Sequence, residues 1–385
     1  MSNKIVIIGA GISGLVMGIL LRQQGFQVEI YEKQADIAPI GGGLGIWPNG
    51  VEVLMTLPCK EKISLLPATI TYDIFADAAG HKLMDVPREL FLQVNGYPIM
   101  NVCRSELHQL LAHEFGIDNI VFGAKCIKIQ QKDAKVTAYF DNHREVKADL
   151  LIGADGTYSA IRKIIFPETK LTYSGYLHFL GVLRYPPSQQ IAHNFIIGKN
   201  RYCLQFPISK NRHIFYQVLP YKQGEIQHLI NRQERLCLFR GWSAEVDQLL
   251  DAYEQSLTEA DFNQHFYCEE AYTMSKLQNW HKERVVLVGD AAHPLGSILG
   301  LGAGCGLEDS YWLAANLKNK SFSEAITAYE QRQIPRIAKF YQLEKAMTDF
   351  ILNANDEEYT HFISEFKRKT PFEANQELIN VLKIS

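Results

Sequence analysis

Four β-branched apolar residues in a row, Ile5 to Ile8, predict a strand buried on both faces, as in a parallel sheet. Ser13 to Gln24 carry a helical pattern, with Gly25 where helices commonly stop. Gln27 to Tyr31 read as a second strand ending at Glu32. Strand, helix and strand in this order predict a β-α-β unit, the opening half of a doubly wound sheet. The Gly/Pro-rich stretch Ile40 to Gly50 predicts a loop, Gly50 to Leu57 a helix, and Thr69 to Leu83 further strands. Arg104 to Phe115 predicts an amphipathic helix with Leu107, Leu110, Leu111 and Phe115 on one face. Cys126 to Phe140 alternates around Lys132-Asp133, which predicts a hairpin, and Leu150 to Ile152 predict another buried strand.

From Leu171 to Cys268 strand patterns dominate, clearest over Tyr176–Tyr185, Phe195–Phe206 and His213–Leu219. Arg284 to Val288 then reads as a buried strand. A glycine-dense loop, a helix over Ala303–Leu317 and a charged helical tail follow.

Composition narrows the class. A hydrophobic fraction of 47% with 21% charged residues suits a globular enzyme rather than a disordered chain. Net charge is −3 and no basic run exceeds Lys367-Arg368-Lys369, so no nucleic-acid partner is expected. Seven singly scattered cysteines, with no C-x-x-C pair, predict reduced thiols and a cytoplasmic setting. Lys4 followed by Ile5–Leu21 has some look of a signal peptide. Gly9, Gly11, Gly14 and Gly18 interrupt it, however, and no membrane span is expected. No histidine spacing suggests a metal site.

The chemistry-bearing signals start at Gly9-Ala10-Gly11-Ile12-Ser13-Gly14, a G-x-G-x-x-G turn between strand and helix. Its glycines permit a tight turn and close approach of a pyrophosphate, which the helix start would attract. Glu32, eighteen residues past Gly14 at the next strand's tip, is placed to accept hydrogen bonds from an adenosine ribose. This pocket fits FAD or NAD and disfavours NADP. A second signal points to FAD. Val285–Val288 runs into Gly289-Asp290-Ala291-Ala292-His293-Pro294, and Gly300-Leu301-Gly302-Ala303-Gly304 then opens a helix. A carboxylate at that strand end can bind a ribityl chain, which NAD lacks. The helix start favours negative charge on a reduced flavin. A third strand–turn–helix signal is Gly153-Ala154-Asp155-Gly156, continuing to Ser159 and Arg162, which also reads as an Asp-Gly turn capping a helix.

Taken together, these residues resemble the class A flavoprotein monooxygenases, the para-hydroxybenzoate hydroxylase-like group, nearest its urate hydroxylase and zeaxanthin epoxidase branch. The likeness spans nearly the whole chain and adds Gly43-Leu44-Gly45-Ile46-Trp47-Pro48-Asn49-Gly50, Arg104 with Leu107, Glu308-Asp309, and Tyr329-Glu330 through Pro335-Arg336. It implies an α/β fold: a Rossmann-like FAD-binding domain, an inserted β-sheet substrate domain and a C-terminal helical region. We expect residues 1–170 and 270–345 to form the first, 171–269 (with a contribution from 69–100) the second, and 346–385 the third. The cofactor-binding residues it implies are Gly9, Gly11, Ser13, Gly14, Glu32, Lys33, Gly45, Arg104, Asp155, Asp290, Gly300, Gly302 and Ala303. Substrate-side candidates are His178, Phe179, Tyr202 and Tyr216.

The implied reaction joins FAD, O₂ and a transient NADH or NADPH in hydroxylating or epoxidising a small aromatic or conjugated substrate, in a monomer or homodimer. No protein nucleophile is required. His293 reads as packing beside the flavin rather than as a base. The chain departs from the family pattern at Ser297, where proline is usual, and at Leu301, where glutamine is usual. Phe179-Leu180 replaces a Trp-Arg pair, so an arginine for an acidic substrate is missing and a more apolar substrate is implied. Two other readings stay open from sequence: an FAD-dependent reductase or dehydrogenase on the same fold, and a non-catalytic flavin-binding protein.

Overall fold

Lys4–Ile8 lies at the heart of a parallel sheet, between Leu150–Gly153 and Gln27–Tyr31. The computed structural model describes residues 3–37, 42–184, 193–209, 212–228, 232–241, 244–256 and 266–383. Among these, Val285–Leu287 and Ile120–Val121 extend the sheet and His281–Lys282 adds an antiparallel edge, giving six strands. Ile5, Val6 and Ile7 are fully buried, as strands covered on both faces must be. Each such side chain contributes about 1.5–3 kcal/mol through burial. Helix Ile12–Gln23 packs against Arg104–Phe115 and against Gly302–Leu317. Gly18 makes the first approach feasible, because a Cβ there would fall 2.8 Å from the Phe115 ring.

A second sheet of seven strands runs in the order Phe266–Met274, Leu171–Arg184, Arg212–Pro220, Arg201–Ser209, His193–Gly198, Tyr72–Asp77, Lys82–Pro87. The last two come from the first quarter of the chain, and Tyr72–Asp77 pairs in parallel with His193–Gly198. Strand alternation gives this sheet two different apolar faces. Leu177, Phe179, Phe215 and Leu219 pack beneath Leu236, Phe239, Val246 and Leu250. Tyr176, Tyr202, Phe206, Ile214 and Tyr216 face the other way, toward Ile298 and Ile351. The hairpin expected at Lys132-Asp133 forms as Cys126–Lys132 and Lys135–Phe140. Asp133 and Ala134 both have positive φ, as a tight two-residue hairpin turn demands.

Four expectations change. Within the stretch expected to be a loop, Gly43–Ile46 is a strand paired with Met100–Cys103, and the helix expected over Gly50–Leu57 forms as Pro48–Leu54, with proline at its start. That pairing is non-local and glycine-rich, so local pattern could not reveal it. Phe195–Phe206 is a hairpin, not one strand: it turns between Gly198 and Arg201, where Asn200 adopts φ +58°. The strand expected over Tyr176–Tyr185 is Leu171–Arg184, and Tyr185 lies outside the described residues. Finally, helix Phe322–Asn353 runs through the expected 345/346 boundary, with Pro335 inside it. A capping box of Ser321 and Glu324 starts this helix. The tail helices Asp356–Arg368 and Pro371–Leu382 dock back on the molecule: Tyr359 Oη donates to Ile197 O at 2.8 Å, and Arg336 to Lys383 O at 2.8 Å. No helix among the described residues is long and apolar enough to cross a membrane.

Candidate active site

The G-x-G-x-x-G turn is held by backbone geometry. Gly9 has φ +107°, and a side chain there would collide with the Ala154 carbonyl; one at Gly14 would collide with Gly9 O. Gly11 differs, because a Cβ there would meet no protein atom within 4 Å. Its role is therefore not internal packing. Glu32 accepts hydrogen bonds from Ala10 N–H at 2.8 Å and Gln34 N–H at 2.9 Å, one to each carboxylate oxygen. Lys33 beside it is exposed. The Ser13 hydroxyl turns toward Gly289 and Gly306, where a Cβ would crowd it, and its carbonyl accepts from Ser310 Oγ at 3.0 Å. The first turn and the late helix are thus in direct contact.

The two later turns are tied together by one buried arginine. Arg162 donates to Asp290 O at 3.1 Å, Ala291 O at 2.9 Å and Thr157 O. Burial lowers its pKa. Asp155 spends its carboxylate locally: it accepts from Ser159 Oγ at 2.5 Å and from Ala160 and Ile161 N–H at 2.7 and 3.1 Å. Ser159 is the N-cap of helix Ala160–Ile165, and Asp155 satisfies the helix's first two amides, so Asp155 shapes the turn instead of reaching outward. Asp290 is half-buried, and desolvation raises its pKa against the pull of His293, Thr157, Arg162 and Arg104. The Cβ position of Gly302 lies 3.6 Å from Asp290 Oδ1.

Arg104 opens helix Arg104–Phe115, and its charge acts on Asp290 and on His108. His108 was not anticipated. Its Nε2 lies 2.5 Å from Ala10 O, on the G-x-G-x-x-G turn itself, and burial lowers its pKa. Its position one helical turn beyond Arg104 was the available signal.

Gly45 and Gly302 are open: a Cβ at Gly45 would meet only Asn101 Oδ1, at 3.8 Å. Gly300 adopts φ +65° beside Trp47, whose Nε1 donates to Leu299 O at 2.8 Å. Ala303 follows Gly302 in the first turn of helix Gly302–Leu317. Asn49 donates to Glu308 at 2.6 Å, and Arg336 clamps the same buried carboxylate. His293 is buried against Asp309, at 2.5 Å, and against the Trp280 ring. Burial works against its charged form, but Asp309 outweighs it and the pKa is raised. The imidazole is engaged in holding the loop.

On the face of the seven-stranded sheet that carries Tyr176 and Tyr216, His178 stacks on Tyr216 with centroids 5.9 Å apart, and burial lowers its pKa to about 4. Its Nδ1 has no hydrogen-bond partner among the described residues. Tyr216 Oη lies 2.8 Å from Ser297 Oγ, and Tyr176 Oη lies 3.3 Å from the same hydroxyl. Tyr202 is buried on this face. Phe179 is not: it points to the opposite side, with its ring 5.4 Å from Phe215 and 5.1 Å from Phe239. Alternation along the strand puts His178 and Phe179 on different faces, so Phe179 is core. Among the described residues no group of His, Cys, Asp and Glu could hold a metal ion.

An extended flavin nucleotide fits these features. The faces of Gly11, Gly45 and Gly302 are free of crowding protein atoms, and the half-buried Asp290 carboxylate lies 3.6 Å from the Cβ position of Gly302. Fold and paired turns thereby define a flavin-dependent oxidoreductase. The chain belongs to the family described as "FAD binding domain", whose model matches residues 2–343, and its relatives place it among the class A FAD-dependent monooxygenases.

It is 26% identical over 372 residues to the FAD-dependent urate hydroxylase of Mycolicibacterium vanbaalenii, covering 93% of this chain and 90% of that one. It is likewise 26% identical over 340 residues to the aurachin C monooxygenase/isomerase of Stigmatella aurantiaca, covering 87% and 86%. The solved structure of Klebsiella pneumoniae HpxO complexed with FAD and uric acid superposes with a TM-score of 0.89, covering 99% of this chain and 96% of that one at 21% identity. That last likeness speaks to the fold.

Proposed function

We propose that this flavoprotein uses NADH or NADPH and O₂ to hydroxylate or epoxidise a small, uncharged aromatic or conjugated molecule held against His178, Tyr202 and Tyr216. Bound FAD supplies the redox chemistry, taking two electrons from the nicotinamide and delivering them to oxygen. Gly9, Gly11, Gly14 and the helix start behind them would bind the pyrophosphate. Glu32 has lone pairs left for the adenosine ribose, Arg104 and Asp290 would hold the linker and ribityl chain, and Gly45, Gly300, Gly302 and Ala303 would border the ring. Lys33 and Ser13 flank the nucleotide end. Asp155 and Arg162 keep the two turns in register.

The observation that carries the substrate reading is the character of the sheet face beside the Ser297 loop. It is aromatic and neutral: burial keeps His178 uncharged at physiological pH, and its Nδ1, without a partner among the described residues, suits a hydrogen-bonding group on the substrate. Leu180 on the same face packs against Gly42, so this strand presents no cation at that point to pair with an anionic substrate. The protein's contribution is to bind, orient and exclude water. To test this, the FAD-loaded protein is screened with neutral aromatics for stimulated NAD(P)H oxidation under ¹⁸O₂. Label in the product is expected. Coenzyme oxidation that no compound accelerates, or product without label, would overturn the reading.

A further inference from the structure

The loop that leads into the flavin-side helix is pinned at three successive backbone amides. Ser297 N–H donates to Tyr176 Oη at 3.2 Å, Ile298 N–H to one oxygen of Glu344 at 2.9 Å, and Leu299 N–H to the other at 3.0 Å. Glu344 reaches this loop from the middle of helix Phe322–Asn353 and is 4% exposed. Ile337, Phe340 and Ile351 are buried on the same stripe of that helix, so a carboxylate interrupts an otherwise apolar face. Gly296 has no side chain where one would collide with the Glu344 carboxylate. The carboxylate is therefore fitted to the loop from both sides. Beyond Leu299 the chain passes Trp47 and enters Gly300–Gly302.

We propose that Glu344 is a positioning residue for the oxygenation site. From the long helix it fixes Gly296–Leu299, so that Ser297, shared by Tyr176 and Tyr216, faces the substrate while Gly300–Gly302 borders the flavin. This rests on the substrate reading above and deepens it. A buried carboxyl with two amide donors is a demanding arrangement, and burial lifts its pKa to about 7. An apolar residue of similar size would fill the same stripe without holding the loop.

The test compares Glu344→Gln, which keeps the volume and one acceptor oxygen, with Glu344→Ala. Both are made in the full chain and loaded with FAD. Three quantities are read: FAD affinity by titration, absorption and fluorescence of the bound flavin, and product formed per coenzyme oxidised. FAD affinity is expected to stay within about threefold, because Glu344 touches neither the first turn nor Asp290. Product formation should fall about 10- to 100-fold with coenzyme oxidation falling less, and Gln should lie between wild type and Ala. The bound flavin's spectrum should shift as the loop loosens. Should the Ala variant not fold, the Gln variant alone decides. Product and coenzyme oxidation falling in step with the folded fraction would leave only a structural role and overturn the proposal. If wild type yields no oxygenated product, the substrate reading fails separately. Glu344 is then judged on the flavin spectrum, and an unchanged spectrum in Glu344→Gln overturns it.

Discussion

The nucleotide half and the proposed substrate face of this molecule are built from different materials. The first is a matter of backbone: glycines whose missing side chains make room, helix starts, and a few carboxylates such as Glu32, Asp155 and Asp290. The second is a matter of side chains drawn from separate strands, a loop and one distant helix: His178, Tyr202, Tyr216, Ser297 and Glu344. Backbone geometry requires particular residues at fixed local spacings. A side-chain face requires only that the residues meet in space.

The sharpest way to break this comparison is within the seven-stranded sheet itself. Phe179→Ala should cost about 3–5 kcal/mol of stability, as truncation of a fully buried aromatic does. The folded fraction should keep its substrate KM, because the ring faces Phe215 and Phe239. A raised KM with unchanged thermal stability would return Phe179 to the substrate side.

Glu344 gives a pH-dependent version of the contrast. Its folded-state pKa is raised by burial to about 7, so the folded protein holds the proton more tightly than the unfolded chain. Its contribution to stability is then fully present below the ordinary carboxyl pKa and is lost as pH rises through about 7. Relative to Glu344→Gln, wild type should lose on the order of 3 kcal/mol across that window. Thermal unfolding at a series of pH values between 4 and 8 reads this directly, and a constant difference between the two proteins would contradict it.

A smaller effect is expected at the hydroxyl pair. Tyr216→Phe removes one hydrogen bond to Ser297, worth about 0.5–1.5 kcal/mol. Turnover per substrate should fall about 2- to 10-fold with FAD affinity unchanged. Weakened FAD binding would show that the two halves are not separable at this point.

What could be read from sequence follows the same division. Gly9 to Gly14, Glu32 and Gly289-Asp290 stand in fixed order next to strands that are themselves obvious, so the parallel sheet and the nucleotide turns were legible. His108 was within reach, one turn past Arg104, yet a lone histidine on a helix carries little signal. The strand Gly43–Ile46 escaped because its partner is Met100–Cys103, more than fifty residues on. Choosing between His178 and Phe179 needed the register of a strand whose two faces are both apolar. Glu344 was hidden for a related reason: on a charged helix, a buried glutamate is distinguished only by the apolar stripe it interrupts.

The most direct test of the bridging arrangement is to titrate FAD, and AMP in competition, against wild type, Glu32→Ala and Asp290→Ala. AMP shares the adenosine end of FAD and lacks the ribityl chain and ring. Loss of a charged hydrogen bond, about 1.5–3 kcal/mol, corresponds to roughly 10- to 150-fold. Glu32→Ala should weaken both ligands to that degree, while Asp290→Ala weakens FAD and leaves AMP as it was. An Asp290 variant that binds FAD normally, or that loses AMP equally, would contradict a nucleotide stretched between the two turns.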